Sequence, residues 1–188
     1  LQYALLRREV LEATKQSINT VAGKVFLAMG GSDFLQLTAP IVDGLKDLDI
    51  EICVAIGPTN SQRQQIEETV KSIPRARVIL QTDYITELAS SSLAILAAGS
   101  SLWEAAALGV PSIGLIVADN QSGAAQAFLN NGLMDLFDGR NGVQIEQITE
   151  SVVVNLTHAQ KNSEHLAAIG LGVENIIREL QLFGKPRF

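Results

Sequence analysis

Apolar residues along this chain gather into short continuous runs, each closed by small residues and followed by a polar-faced stretch. The runs cover residues 24–29, 50–56, 77–81, 93–98, 112–117 and 133–137. Unbroken runs of this length, bounded by Gly, Pro, Asn or Ser, read as strands buried on both faces. Between them the pattern predicts helices over 34–48, 61–72, a brief one from 82 to 90, 102–108 and 118–131, then terminal helices over 143–156 and 161–182. A first amphipathic helix is expected within residues 1–17. The punctuation agrees: Ser32 or Asp33, Asn60 or Ser61, Ser100 or Ser101, and Asp119 or Asn120 are placed to cap. Gly109 and the pair Asn131-Gly132 are placed to stop, and Gly170 and Gly172 weaken the last helix. Strands alternating with helices imply right-handed crossovers and a parallel sheet. The expected fold is therefore α/β: a doubly wound, Rossmann-like sheet of about six strands in the order 3-2-1-4-5-6, with its ligand crevice between strands one and four.

Two turns would meet at that crevice. After strand one comes Gly30-Gly31-Ser32, where a glycine pair lets backbone approach a ligand closely. After strand four comes Gly99-Ser100-Ser101, which presents amides and two hydroxyls at a helix N-terminus, a natural seat for phosphate. Glu104, about one helical turn further on, faces the same mouth and is able to accept hydrogen bonds from two hydroxyls. A phosphate seat beside a diol acceptor suggests a nucleotide. A dinucleotide is disfavoured, because Gly30-Gly31-Ser32-Asp33 lacks the G-x-G-x-x-G spacing and strand two ends in Gly57-Pro58 with no acidic ribose ligand.

Composition narrows the class. The chain has 188 residues, 47% of them hydrophobic, and a net charge of −6. That is enough for one large core and no basic stripe for nucleic acid. No apolar run approaches the ~20 residues of a membrane span, and no signal peptide is visible. The lone Cys53 sits in an apolar strand and reads as an inert core thiol of a cytoplasmic protein. Arg7 and Arg8 read as solvated charges, and His158 and His165 as ordinary helix residues. Because the first residue is Leu1, the chain is expected to be a piece of a longer one.

The wording of three segments goes beyond pattern. Gly99-Ser-Ser-Leu-Trp-Glu104, Ala105-Ala-Ala-Leu-Gly-Val-Pro111 and Ala118-Asp-Asn-Gln121 resemble the nucleotide-sugar half of GT-B enzymes. The nearest likeness is to the UDP-sugar hydrolases of pseudaminic acid biosynthesis, with the peptidoglycan N-acetylglucosaminyltransferases more distant. Tyr3-Ala-Leu-Leu-Arg-Arg-Glu-Val10 resembles the connector between the two domains of such hydrolases. The resemblance implies a connector over 1–20 and a binding domain over 21–188. It also implies that Gly30, Gly31 and Ser32 lie against phosphates and sugar, that the loop holding Tyr84 and Ile85 grips the base through its backbone, and that Asn120 and Gln121 reach sugar or diphosphate. On the residues alone, Tyr84 reads as surface packing. Two departures bear on the phosphate contacts: Ala98 stands where the family commonly has a second Gly, and Leu102 where it has a smaller polar residue.

In that family the water-activating His lies in a Gly-x-Gly-His stretch of the N-terminal domain, and no such stretch occurs here. No catalytic residue, metal or cofactor is expected in these residues. The resemblance implies a domain that binds UDP or a UDP-sugar while an N-terminal domain or partner subunit supplies the base of a hydrolase. The alternatives are the donor-binding half of a UDP-sugar glycosyltransferase, whose separate partner an exposed apolar patch over Tyr3 to Leu6 would favour, and a non-catalytic assembly domain.

Overall fold

A computed structural model describes residues 5–130, 134–158 and 172–183. Its core is one six-stranded parallel sheet, β1 (Val21–Ala28), β2 (Glu51–Ala55), β3 (Ala76–Val78), β4 (Ser91–Ala97), β5 (Ser112–Ile116) and β6 (Met134–Asp138). The spatial order is β3-β2-β1-β4-β5-β6, the arrangement the alternating pattern implied.

Period-two geometry sorts the strand residues into two layers. Val25, Leu27, Ile52, Val54, Leu93, Ile95, Ile113 and Leu115 face one side. There they meet Ile41 of α2 (Thr38–Gly44), Ile66 of α3 (Arg63–Lys71), and Ile148 and Val152 of α7 (Ile145–His158). Phe26, Ala28, Cys53, Ala94 and Leu96 face the other. They meet Leu88 of α4 (Tyr84–Ala89), Leu102 and Ala105 of α5 (Ser100–Ala107), and Phe128 of α6 (Ser122–Asn130). Every residue of β4 is buried, which is why the strand reads as an unbroken apolar run. A short α1 (Arg8–Ala13) lies outside the second layer, pinned by the buried Val10 against Ala107. Beyond α7, residues 172–183 form α8 (Gly172–Phe183). His165, Asn131-Gly132, Leu133 and Tyr3 lie outside the described residues.

Several helix starts differ from expectation, each for a local reason. The helix expected from residue 34 begins at Thr38, because Asp33 and Gln36 adopt φ of 44° and 59° and turn the chain first. Pro40, which lacks an N–H, fits the first turn of α2 but would break a helix begun at 34. Asp33 does act at the start: its carboxylate accepts from the amides of Leu37 and Thr38, both at 3.0 Å. Asn60 likewise accepts from the Gln62 amide ahead of α3. Neither Ser100 nor Ser101 caps α5; Gly99 occupies that position with extended backbone. The stretch Asp119–Gln121 is a 3-10 turn that no side chain caps, and α6 starts only at Ser122.

Near the amino-terminal ends of the central strands sits a charge cluster. Lys24, 5% exposed, pairs with Glu87 at 2.5 Å and donates to the Ser90 hydroxyl at 2.7 Å. Arg77 reaches the same carboxylate at 2.7 Å and also Glu51. The Arg77 hydrogen bond, seconded by Lys24, holds Glu87 down to about 2. Burial pushes the nearby Cys53 thiol up to about 12, in keeping with an inert core residue. Glu87→Gln leaves Lys24 buried without its counter-ion and is expected to cost on the order of 3 kcal/mol at neutral pH. A carboxyl near 4.3 when unfolded and near 2 when folded stabilises the native state above pH ~4.3. That contribution is lost as pH falls through about 2. The urea midpoints of wild type and variant should therefore converge as pH falls from ~4.3 to about 2; a constant gap would remove Glu87 from this account.

Candidate functional site

β1 and β4 run side by side with Ala28 opposite Leu96, so the turns that follow them leave the sheet together. This is where the topology switches direction, and it puts Gly30-Gly31-Ser32 next to Gly99-Ser100-Ser101 at the carboxyl edge. Gly30, Gly31, Ser32 and Ser100 are exposed, and Gly30 has φ of 80° with open space where a Cβ would stand. Ser100 and Ser101 are the first two residues of α5, so their amides precede any carbonyl of their own helix. Backbone donors at the positive end of a helix dipole favour an anion there.

A third loop, which the sequence reading did not single out, holds the first in place. Thr59, past the end of β2, donates from its hydroxyl to the Gly31 carbonyl at 2.8 Å and from its amide to the same oxygen at 3.2 Å. Gly57 is the reason this loop gets so close: a Cβ there would stand 2.2 Å from the Gly31 oxygen. The sequence marked Gly57-Pro58 as the end of strand two, but not the partner that this loop meets.

The fourth loop closes in from β5. Gln121 folds back, accepting from the Val117 amide at 2.9 Å, with its Nε2 3.9 Å from the position of a Cβ on Gly99. Gln121 thus joins the strand-four turn, while Asn120 stays exposed. Asp119 points to Arg140 at 2.7 Å, and Arg140 also holds Asp138, keeping that carboxyl at about 2. The hydroxyl of Ser122 is buried and has no hydrogen-bond partner. No sequence pattern marked it.

The greatest departure concerns Glu104, Arg7 and Tyr84. Arg7 is exposed, as expected, but not a free charge: its Nε and Nη2 grip the two Glu104 oxygens at 2.7 and 2.9 Å. Glu104 is 5% exposed, so the expected diol acceptor is covered and already paired. The Arg7 guanidinium lies 5.2 Å from the centre of the Tyr84 ring. Tyr84 is no surface residue either. It is buried edge-on against Phe26, donates from its hydroxyl to Ser101 at 3.1 Å, and is pushed up to about 12 by burial. Ile85, beside it, is partly buried and packs towards α1. The structure thus links Tyr84 to the strand-four turn through one hydroxyl. Ahead of α1, Leu5 is exposed while Leu6 packs against the α1 cluster, so the described part of the 3–6 stretch is not a continuous apolar patch.

Comparison with known proteins places the fold. No family model matches the chain. The spore coat polysaccharide biosynthesis protein SpsG of Bacillus subtilis is 28% identical over 113 residues, 57% of this chain and 33% of that protein. The spinosyn rhamnosyltransferase SpnG, solved with thymidine diphosphate, superposes with a TM-score of 0.63 at 22% identity, over 88% of this chain and 46% of its own. The UDP-GlcNAc 2-epimerase of Methanocaldococcus jannaschii, solved with UDP-GlcNAc and UDP, gives 0.63 at 19% identity, over 94% and 49%. The chain therefore spans about a third of that curated relative and about half of these solved proteins. It has the Rossmann-like fold of GT-B glycosyltransferases and of this epimerase. The glycosyltransferase alternative fits these similarities better than the pseudaminic-type hydrolase reading. Among the described residues, no helix is long and apolar enough to cross a membrane.

Because the Gly57 contact is backbone against backbone, Gly57→Ala has no flexible neighbour to yield. It is expected to lose about 1–3 kcal/mol in urea unfolding. Gly30→Ala, with free space but a positive φ, should lose about 1 kcal/mol. Equal losses would mean that the clamp on Gly31 is not the tighter constraint.

Proposed function

We propose that this chain is the nucleotide-sugar-binding domain of a glycosyltransferase-type enzyme, taking UDP or a UDP-sugar as its ligand. The observation that carries the reading is the convergence of Gly30-Gly31-Ser32 and Gly99-Ser100-Ser101 at the β1/β4 switch, with the Glu104 carboxylate in the first turns of the same helix. Backbone amides at α5 serve a diphosphate, with Ser32, Ser100 and Ser101 as hydroxyl partners. Glu104 serves the ribose hydroxyls, the loop of Tyr84 and Ile85 the base, and Asn120 and Gln121 the sugar end. The nucleotide ligands of the rhamnosyltransferase and the epimerase support a nucleoside diphosphate in this fold.

The reaction needs more than this set. Among the described residues the crevice holds no nucleophile beside a base: Asp119 is tied to Arg140 and Glu104 to Arg7. Residues outside this domain, on a further domain or a partner subunit, supply the groups that activate the acceptor, and this domain holds the departing nucleotide. Residues 1–20 act as the connector to them.

Saturating ligand stabilises the state that binds it, by about 2.7 kcal/mol at 100 times the dissociation constant. Millimolar UDP is therefore expected to raise the melting temperature, and UMP, with one phosphate fewer, to raise it less. A melt that no nucleotide moves points to an assembly domain instead. Glu104→Gln keeps the shape but loses the charge of an acceptor whose hydrogen bonds are worth roughly 1.5–3 kcal/mol. Calorimetry should show UDP weakened about tenfold or more, on that scale; undiminished affinity removes Glu104 from the ribose.

A further inference from the structure

We propose that Arg7 is a latch on Glu104, which a ribonucleotide must displace in order to seat its ribose. The inference rests on reading Glu104 as the diol acceptor and adds a residue that regulates access to it. Both Glu104 oxygens are engaged, one by Nε and one by Nη2 of Arg7. A cis-diol would also place one donor on each oxygen, so the two bidentate partners ask for the same pair of atoms. The Glu104 side chain is 7% exposed and that of Arg7 48%, so the arginine is the outer partner and a ligand arriving from solvent meets it first.

The arginine is able to leave without unfolding its surroundings. It stands just ahead of α1 on extended backbone, and the helix is held separately by the buried Val10 and Ala13. What holds the side chain is Glu104 and the face of Tyr84. Tyr84 is itself bonded to Ser101, so the latch touches the acceptor and the base loop and reaches the phosphate turn only through the tyrosine. Displacement by a ligand would release a residue of the connector itself and so report occupancy to whatever that connector leads to.

Calorimetric titration of the 188-residue chain with UDP and with 2′,3′-dideoxy-UDP tests the latch. Arg7→Gln should tighten UDP about tenfold by removing the closed population, and leave dideoxy-UDP unchanged. Weaker UDP binding would make Arg7 a positioning residue for Glu104, and an equal change for both ligands would separate it from the ribose; either overturns the latch. The wild-type chain gives a readout that does not depend on the variant's folding. The Arg7 Nε–H resonance, protected by Glu104, should shift and exchange faster at saturating UDP but not with dideoxy-UDP. UDP binding with an unmoved Arg7 signal sinks the latch alone. UDP binding to neither form sinks the nucleotide reading and the latch together.

Discussion

Parallel pairing of β1 with β4 sets the geometry of the site, because two strands that end level at the same edge must send their next turns into the same space. The pair is buried on both sides by separate helical layers, Phe26 and Leu96 facing one and Leu27 and Ile95 the other. Its register is thereby fixed, since a slip by one residue would exchange the two faces. The turns are then trimmed by their neighbours: Thr59 holds the Gly31 carbonyl, and Gln121 leans on Gly99. Four loops converge without any of them needing to be long.

The two ends of the sheet solve opposite electrostatic problems. Near the amino-terminal end, Lys24, Arg77, Glu87 and Glu51 neutralise one another in a crowded cluster. At the carboxyl end, the turns after β1 and β4 expose mainly backbone and hydroxyl groups. With a net charge of −6, the chain offers an anionic ligand no favourable long-range field. Attraction must come from amides and a helix dipole at contact distance, which favours selection by shape over steering by charge.

The strand order and the two small-residue turns were legible because both follow from local wording: apolar runs, glycines, and helices of the right length between them. Helix starts were less so, since Asp33 and Gln36 at positive φ are set by how the loop meets the sheet. Pro40 was a readable sign that a helix begun at 34 would fail. Arg7 and Glu104 stand 97 positions apart, and nothing in the spelling of either segment announces the other. The same holds for Thr59 and Gly31, which meet only because β1 and β2 are neighbours. Tyr84 looked superficial from its polar flanks, but its ring fills the space beneath Arg7 and beside Phe26.

The β1–β4 pair also bears on the order in which the molecule assembles. Ala28 and Leu96 face each other across 68 positions of chain, and the Ser92 hydroxyl bonds the Lys24 carbonyl across the same interval. Closing so large a loop is slow relative to forming helices, so this edge of the sheet comes together late. Until it does, the two turns are separate and neither half of the crevice has its counterpart. A chain emerging from the ribosome has β2 and β3 in hand well before β4, and must keep the open flank of β1 from pairing with a stranger during that delay.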